Sequence, residues 1–390
     1  MPIPFPVVEV AGFGCVSPLG IGLPATRENL RRSRDSISPV RLFSVAGCQA
    51  QTAGQVGPEL AGHAAAICAR AKRWTRASQM VLVAAREALA ASPGFVPDCV
   101  IVGTTSGGMA LGEEFFRAAM TGKGVGSAAR RVLAYPPHQP VDQALGALGL
   151  DVPARSIANA CASGSNAIGL GCQMIRSGAA RRVLAGGYDA LAELVFAGFD
   201  CLRASTPEKC RPFDADRTGL ALGEGAAMFC LQQGGAGLCV TGYGSAADTH
   251  HLTQPHPSGS GPLRAMRGAL ACAGMEAAAI DYINAHGTGT PLNDASEARA
   301  ILAVCPAAPM SSTKGMTGHA LGAAGAIEAA FCGVAMQEDF LPANINFTKT
   351  DGEFPLNVVA NQSRPARPRR VLSNSFGFGG ANASLLLELR

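Results

Sequence analysis

Ser156-Ile157-Ala158-Asn159-Ala160-Cys161-Ala162-Ser163-Gly164-Ser165-Asn166 runs straight on into Ala167-Ile168-Gly169-Leu170. A short apolar run ends at one thiol, small residues follow at once, and a second apolar stretch predicts a buried helix. Strand, tight turn and helix in that order are the repeating step of an α/β fold. A thiol on such a turn lies at the positive end of the helix dipole, which favours thiolate and predicts a lowered pKa. The small flanking residues leave room for a thioester or another backbone to approach. Taken alone, a cysteine of this kind is more often a buried structural residue.

Two downstream segments change that reading. Asn284-Ala285-His286-Gly287-Thr288-Gly289-Thr290-Pro291 follows the apolar Ile280 to Ile283 and sets a histidine in a loop of Gly and Thr just past a predicted strand. Ser311-Ser312-Thr313-Lys314-Gly315-Met316-Thr317-Gly318-His319 sets a second histidine at the mouth of a small-residue helix predicted over Ala320 to Ala335. Either histidine alone reads as structural. One thiol and two imidazoles, each at the end of an element and beside glycines, read together as a cysteine nucleophile served by two histidines.

Composition fits a heavily buried enzyme. The chain has 390 residues, 48% hydrophobic and 15% charged, which exceeds the usual single-domain size and argues against a disordered scaffold. A net charge of +4, with no aromatic-basic stripe, gives no sign of nucleic-acid binding. Thirteen cysteines form no CxxC pair, so neither a zinc site nor a redox dithiol is indicated and no metal is expected. The start, Met1 to Pro6, lacks the charged and apolar regions of a signal peptide, and no apolar run approaches the ~18 residues of a membrane span. Reduced thiols and a cytoplasmic location are the expectation.

Apolar runs alternate with small-residue helices in both halves: Val7 to Phe13, Met80 to Ala91, Cys99 to Gly103 and Arg182 to Gly187, then Leu238 to Gly242, Pro262 to Gly274 and Val371 to Ser375. Ala167-Ile168 lies six residues after Cys161, and Ala326-Ile327 seven after His319, so a reactive residue heads an Ala/Gly-rich helix twice.

With Cys161, His286, Lys314 and His319 in these settings, the chain resembles the β-ketoacyl-acyl-carrier-protein synthases, decarboxylating condensing enzymes of fatty-acid and polyketide synthesis. It most resembles their elongating Cys-His-His class. The likeness extends from Val10-Ala11-Gly12-Phe13-Gly14 to Ser375-Phe376-Gly377-Phe378-Gly379-Gly380-Ala381-Asn382. It implies a thiolase-like duplicated α-β-α-β-α fold, with a half at 1–240 carrying the nucleophile and a half at 241–390 carrying both histidines, joined through Gly234 to Gly237.

The resemblance also implies roles. Cys161 takes the acyl group, with its own amide and that of Phe378 as the oxyanion hole. His286 and His319 donate to the enolate through Nε2, Lys314 holds the second histidine, and Glu328 organises the lysine. Thr288 and Thr290 suit a phosphopantetheine arm, and Ser106, Met109 and Phe199 an acyl pocket. Lys72, Arg73 and Arg203 would dock an acidic acyl carrier protein. No cofactor is implied beyond the carrier's arm, and a homodimer is expected, a heterodimer with a related ketosynthase-like subunit being the other possibility. His250, His251 and His256 fall on the loop flanking the entrance and are read as non-catalytic. The segment Ser205 to Pro212 looks shortened, and Ala381 stands where Thr is frequent, which leaves the substrate open. A non-elongating partner subunit, a thiolase using coenzyme A thioesters, and a cysteine hydrolase remain as alternatives.

Overall fold

The computed structural model describes residues 6–390. Residues 1–5, on which most of the reading of the N-terminal stretch rests, lie outside them. Ten strands build the central sheet: β1 (Val8–Ser17), β2 (Cys99–Gly103), β3 (Ala154–Ile157), β4 (Arg182–Asp189), β5 (Gly225–Gln233), β6 (Leu238–Ala247), β7 (Tyr282–Asn284), β8 (Met310–Ser311), β9 (Arg370–Phe376) and β10 (Ala381–Leu389). Their order is β8-β7-β9-β10-β6-β1-β5-β4-β2-β3, and the two-residue strand Gly20–Ile21 adds to β1.

This order is the same arrangement used twice. From β1 outward the pairings are antiparallel with β5, antiparallel to β4, then parallel to β2 and β3. From β6 outward they are antiparallel with β10, antiparallel to β9, then parallel to β7 and β8. Among the described residues the two arms pair where Val8 faces Val240 and Glu9 faces Cys239. Even the irregularities recur, with a register shift between Val10 and Gly12 in β1 and between Val240 and Gly242 in β6. At both places a helix backbone presses on the strand. A Cβ on Gly12 would lie 2.6 Å from the Ala88 carbonyl oxygen, and one on Gly242 would lie 2.2 Å from that of Ala269.

The helices that matter are α1 (Arg76–Ala90), α2 (Gln139–Leu148), α3 (Ser163–Arg176), α4 (Glu193–Cys201), α5 (Ser260–Ala273), α6 (Pro291–Val304) and α7 (Ala324–Gln337). Alternate residues of each strand face different cores, as the two-residue period of a strand requires. Phe229 and Leu231 join Ile168, Ile327, Phe331 and Leu385 in a central core, whereas Met228 and Cys230 join Met80 and Leu82 of α1 on the other face. In the second half Leu386 turns to Met266, Ile301 and Leu372. Helices α3 and α7 therefore form the middle of five layers, with α1 and α2 outside one arm and α5 and α6 outside the other. This is the layered thiolase-like fold.

The two middle helices cross at small residues. A Cβ on Gly164 of α3 would sit 2.9 Å from the Ala326 nitrogen of α7. That close approach brings the N-terminal ends of both helices, and the residues just before them, to one point. Among the described residues no helix is long and apolar enough to cross a membrane.

Candidate active site

The chain leaves β3 at Ile157 and turns through Ala160, which holds φ 51°. A left-handed alanine costs roughly 1–2 kcal/mol, and Ser163 stabilises it. The Ser163 hydroxyl accepts from the Asn159 amide at 2.9 Å and donates to the Ala160 carbonyl at 2.6 Å. Cys161 is thus held at the head of α3, only 7% exposed.

The second half supplies the counterpart. After β8 comes a short helix, Lys314–Thr317, then His319, then Leu321 at φ 49°. Because of that turn, α7 begins at Ala324 rather than at Ala320 as the sequence suggests. The His319 amide donates to the Ala221 carbonyl at 2.7 Å, and its carbonyl accepts from Gly223 at 2.9 Å, so its backbone is fixed on both sides. His286 follows β7. The Glu297 carboxylate on α6 accepts from the amides of His286 and Gly287, both at 2.8 Å.

These turns bring Cys161, His286 and His319 together. His319 Nε2 lies 3.0 Å from Cys161 Sγ. The two imidazole rings meet edge to face, centroids 5.1 Å apart. The Lys314 ammonium bonds Glu328, the His286 carbonyl and, at 3.3 Å, His286 Nδ1. It holds the first histidine, not the second as the resemblance suggests, because Lys314 and Glu328 are buried beneath the His286 loop. His319 Nδ1 has no hydrogen-bond partner among the described residues.

Burial dominates the electrostatics. It pushes the Cys161 thiol up to about 12, against which the Lys314 charge and the amides of Phe378 and Cys161 pull down. The sequence-based expectation of a lowered pKa is therefore corrected: withdrawing the sulfur from water outweighs the dipole. Burial first and the Lys314 charge second hold both His286 and His319 well below the ordinary histidine value, so both rings are neutral. Burial likewise raises Glu297 to about 7.

The Gly377 to Gly380 loop closes over the sulfur. A Cβ on Gly377 would lie 2.9 Å from the Cys161 nitrogen, and the Phe378 amide reaches the thiol beside that of Cys161. The Phe378 ring stacks on Phe199, centroids 5.5 Å apart. A cavity of about 330 Å³ runs from Cys161 past His286, His319, Thr288, Thr290, Phe199 and Phe378 to Arg203. The Thr288 and Thr290 hydroxyls bond each other at 2.9 Å.

Other expected residues lie elsewhere. Ser106 and Met109 do not line this cavity, and the Ser106 hydroxyl donates to Asp189 at 2.7 Å. Lys72 and Arg73 are exposed on the Ala69–Arg73 turn, away from the cavity lining. The segment from Asp248 to His256 does border the cavity through Asp248, Thr253, Gln254 and Pro255, its Leu252 carbonyl accepting from Gly379. Its three histidines do not line it. In the Ser205 to Pro212 segment, Cys210 Sγ donates to the Thr288 carbonyl at 3.4 Å. Glu297 and Asp189 were not singled out in the sequence. Asp294 and Glu297, two acids three residues apart on an alanine-rich stretch just after the His286 loop, are the sequence signal for the first.

The donor atoms of Cys161, His286 and His319 lie within 4.8 Å of one another, a set that a soft divalent ion would accept. The Lys314 ammonium against His286 opposes a second cation there.

Family models for the β-ketoacyl synthase N-terminal and C-terminal domains match residues 6–235 and 238–348. The chain belongs to the β-ketoacyl synthase family. It is 32% identical over 410 residues to the 3-oxoacyl-[acyl-carrier-protein] synthase 2 of Synechocystis sp., covering 98% of this chain and 97% of that protein. It is 34% identical over 400 residues to nodulation protein E of Rhizobium sp., covering 97% and 98%. Among solved structures, the ishigamide ketosynthase/chain length factor superposes with a TM-score of 0.92 at 32% identity, covering 99% of this chain and 100% of that one. Within this family the cluster of one thiol and two imidazoles is the place to look for the condensing chemistry.

Proposed function

We propose that this synthase joins an acyl group to malonyl-acyl-carrier protein, by decarboxylative Claisen condensation, to give 3-oxoacyl-acyl-carrier protein. The observation that carries the reading is the 3.0 Å contact between Cys161 Sγ and His319 Nε2, with a second neutral imidazole beside it in the same cavity. Cys161 attacks the acyl thioester, and its proton passes to His319 Nε2 as the sulfur–carbon bond forms. The amides of Cys161 and Phe378 hold the oxyanion. The carrier's pantetheine thiol leaves with the proton. Malonyl thioester then enters, guided by the Thr288 and Thr290 hydroxyls, and loses CO₂. Negative charge develops on its thioester oxygen, where the Nε2–H of His286 stabilises the enolate; His319, having given up its Nε2 proton, joins as second donor once its remaining proton moves from Nδ1 to Nε2. The enolate carbon attacks the acyl-cysteine, the sulfur–carbon bond breaks, and the released Cys161 thiolate takes up a proton from solvent.

Every step uses side chains and backbone amides of this chain, so the only group required from outside is the carrier's phosphopantetheine. Exposed Lys72, Arg73 and Arg203 fit an acidic carrier. The chain divides near residue 240 into a nucleophile-bearing half and a histidine-bearing half. Strand β3 ends the sheet, and Phe116, Met120 and Leu133, 64%, 73% and 75% exposed, supply apolar surface for a second chain. A homodimer fits this surface, as does a heterodimer with a related subunit. A thiol nucleophile among thirteen free cysteines fits a reducing cytoplasm.

The test is to mix the protein with acyl-carrier protein and malonyl-carrier protein, without reductase, and weigh the products. A 3-oxoacyl-carrier protein longer than the donor by two carbons supports condensation. Free acid alone would indicate a hydrolase, no turnover a non-elongating partner, and turnover with coenzyme A thioesters only a thiolase.

A further inference from the structure

Asp189 ends β4 and is completely buried, yet among the described residues every hydrogen bond that its carboxylate receives comes from a neutral group. On Oδ1 it accepts from the Thr104 hydroxyl at 2.7 Å and from the Ser106 amide and hydroxyl at 2.8 and 2.7 Å. On Oδ2 it accepts from the Thr105 amide at 2.9 Å and the Gly322 amide at 2.7 Å. The first group belongs to the loop after β2, and Gly322 lies three residues beyond His319. The packing there leaves no slack. A Cβ on Gly322 would fall 2.7 Å from the Thr105 nitrogen, and one on Gly187 would fall 3.1 Å from both Gly164 Cα and the Gly322 carbonyl. Gly164 is three residues beyond Cys161. The carboxylate thus sits where the Cys161 turn, the His319 turn and the loop after β2 meet.

We propose that Asp189 is a positioning residue of the condensing site: through Gly322 it ties the His319 turn to the loop after β2, whose Gly103 packs on Ser163 and Gly164 of the Cys161 turn, and its buried negative charge adds to burial in keeping the Cys161 sulfur protonated until a thioester arrives. The proposal rests on the reading of Cys161 as the acyl acceptor. The charged and titratable groups that face the sulfur are few. Lys314 favours thiolate, Asp189 opposes it, and burial keeps both imidazoles neutral. An idle thiolate would be open to oxidation and alkylation, whereas a thiol that ionises only during attack on a bound thioester is protected.

Asp189→Asn tests this role. An amide offers one acceptor oxygen. With that oxygen on the crowded Oδ1 side, its NH₂ faces the amides of Thr105 and Gly322, donor against donor. The variant therefore loses the charge and the Gly322 tether together. Condensation turnover should fall, while alkylation of Cys161 by iodoacetamide at neutral pH should rise by roughly three- to tenfold, a tenfold rise corresponding to one pKa unit. A loosened site would raise alkylation at every pH through access alone, so the distinction rests on Thr104→Val with Ser106→Ala, whose excess over the parent must vanish at high pH.

The rate is read by intact-protein mass spectrometry between pH 6 and 9, with Cys161→Ala giving the background of the other thiols. Thr104→Val with Ser106→Ala, which also stands in should Asp189→Asn fail to fold, removes two hydroxyl donors from the carboxylate while keeping Asp189 and its Gly322 bond. The carboxyl then protonates more readily, and Cys161 alkylation should exceed the parent rate at pH 6 and converge with it at high pH. Parent-like or slower alkylation in the variant that folds overturns the proposal. Acylation that persists in Cys161→Ala would instead overturn the nucleophile assignment beneath it.

Discussion

The Lys314 ammonium meets His286 at Nδ1, 3.3 Å away, while His319 Nε2 faces the Cys161 sulfur. An ammonium can only donate, so Nδ1 of His286 is the acceptor and its proton resides on Nε2. The two histidines are therefore not equivalent. His286 presents a fixed N–H to the cavity, and His319 Nε2 lies within hydrogen-bond reach of the thiol.

His286→Ala should suppress CO₂ release from malonyl-carrier protein by about 10²–10³-fold, the usual loss for one preorganised donor, with acylation of Cys161 little changed. His319→Ala should slow both steps, since its Nε2 touches the sulfur. Separate assays of CO₂ release and acyl-enzyme mass distinguish the two patterns. Equal profiles for the two variants would contradict the division of roles.

Lys314→Met should destabilise the fold by about 3–5 kcal/mol, because it leaves the buried Glu328 carboxylate uncompensated. Lys314→Met with Glu328→Gln should recover much of that stability, as seen in denaturant midpoints. Decarboxylation should stay low in both, since neither restores the donor to His286 Nδ1.

The neutral imidazoles set a pH signature. Folding holds both His286 and His319 below their ordinary value, so the unfolded chain takes up two protons that the native state refuses. Each histidine should therefore cost the fold about 1.4 kcal/mol per pH unit as pH falls below 6.5, while Glu297, raised to about 7, gains stability over the same range and offsets about one of them. Denaturant unfolding at pH 5.5, 6.5 and 7.5 measures this, and His286→Ala should flatten the slope.

Gly377→Ala should lower the rate of Cys161 acylation at least about tenfold, since a methyl there collides with the Cys161 amide and pushes the Phe378 donor away. Burst-phase acyl-enzyme formation reports it. Full activity in this variant would place the oxyanion elsewhere.

Charge reversal at Lys72 and Arg203 together should raise KM for the acyl carrier and weaken its salt dependence, with kcat spared. Exposed pairs contribute only about 0–1 kcal/mol each, so the double change is the informative one. A KM indifferent to ionic strength in the parent protein would remove this surface from docking.

The sequence by itself determined the local grammar. Apolar runs followed by glycine and alanine marked β2, β4, β6 and β9 to within a few residues, because strand and small-residue helix patterns are set by neighbours along the chain. It also picked out Cys161, His286, Lys314, His319 and Glu328, whose reactive side chains stand beside glycines or among alanines. What it left undecided depends on atoms far apart in sequence. The thiol's dipole was legible at Cys161, but its burial was not, and burial reversed the pKa. The partner of Lys314 was a choice between two histidines that only the packing of β7 against β8 resolved. Ser106 reads as a pocket residue until Asp189, 83 positions away, takes its hydroxyl. Asp189 and Glu297 look like ordinary acids in the sequence. The donors that occupy each carboxylate come from distant segments: for Asp189 from both halves of the fold, for Glu297 from the His286 loop and Asn374 of β9.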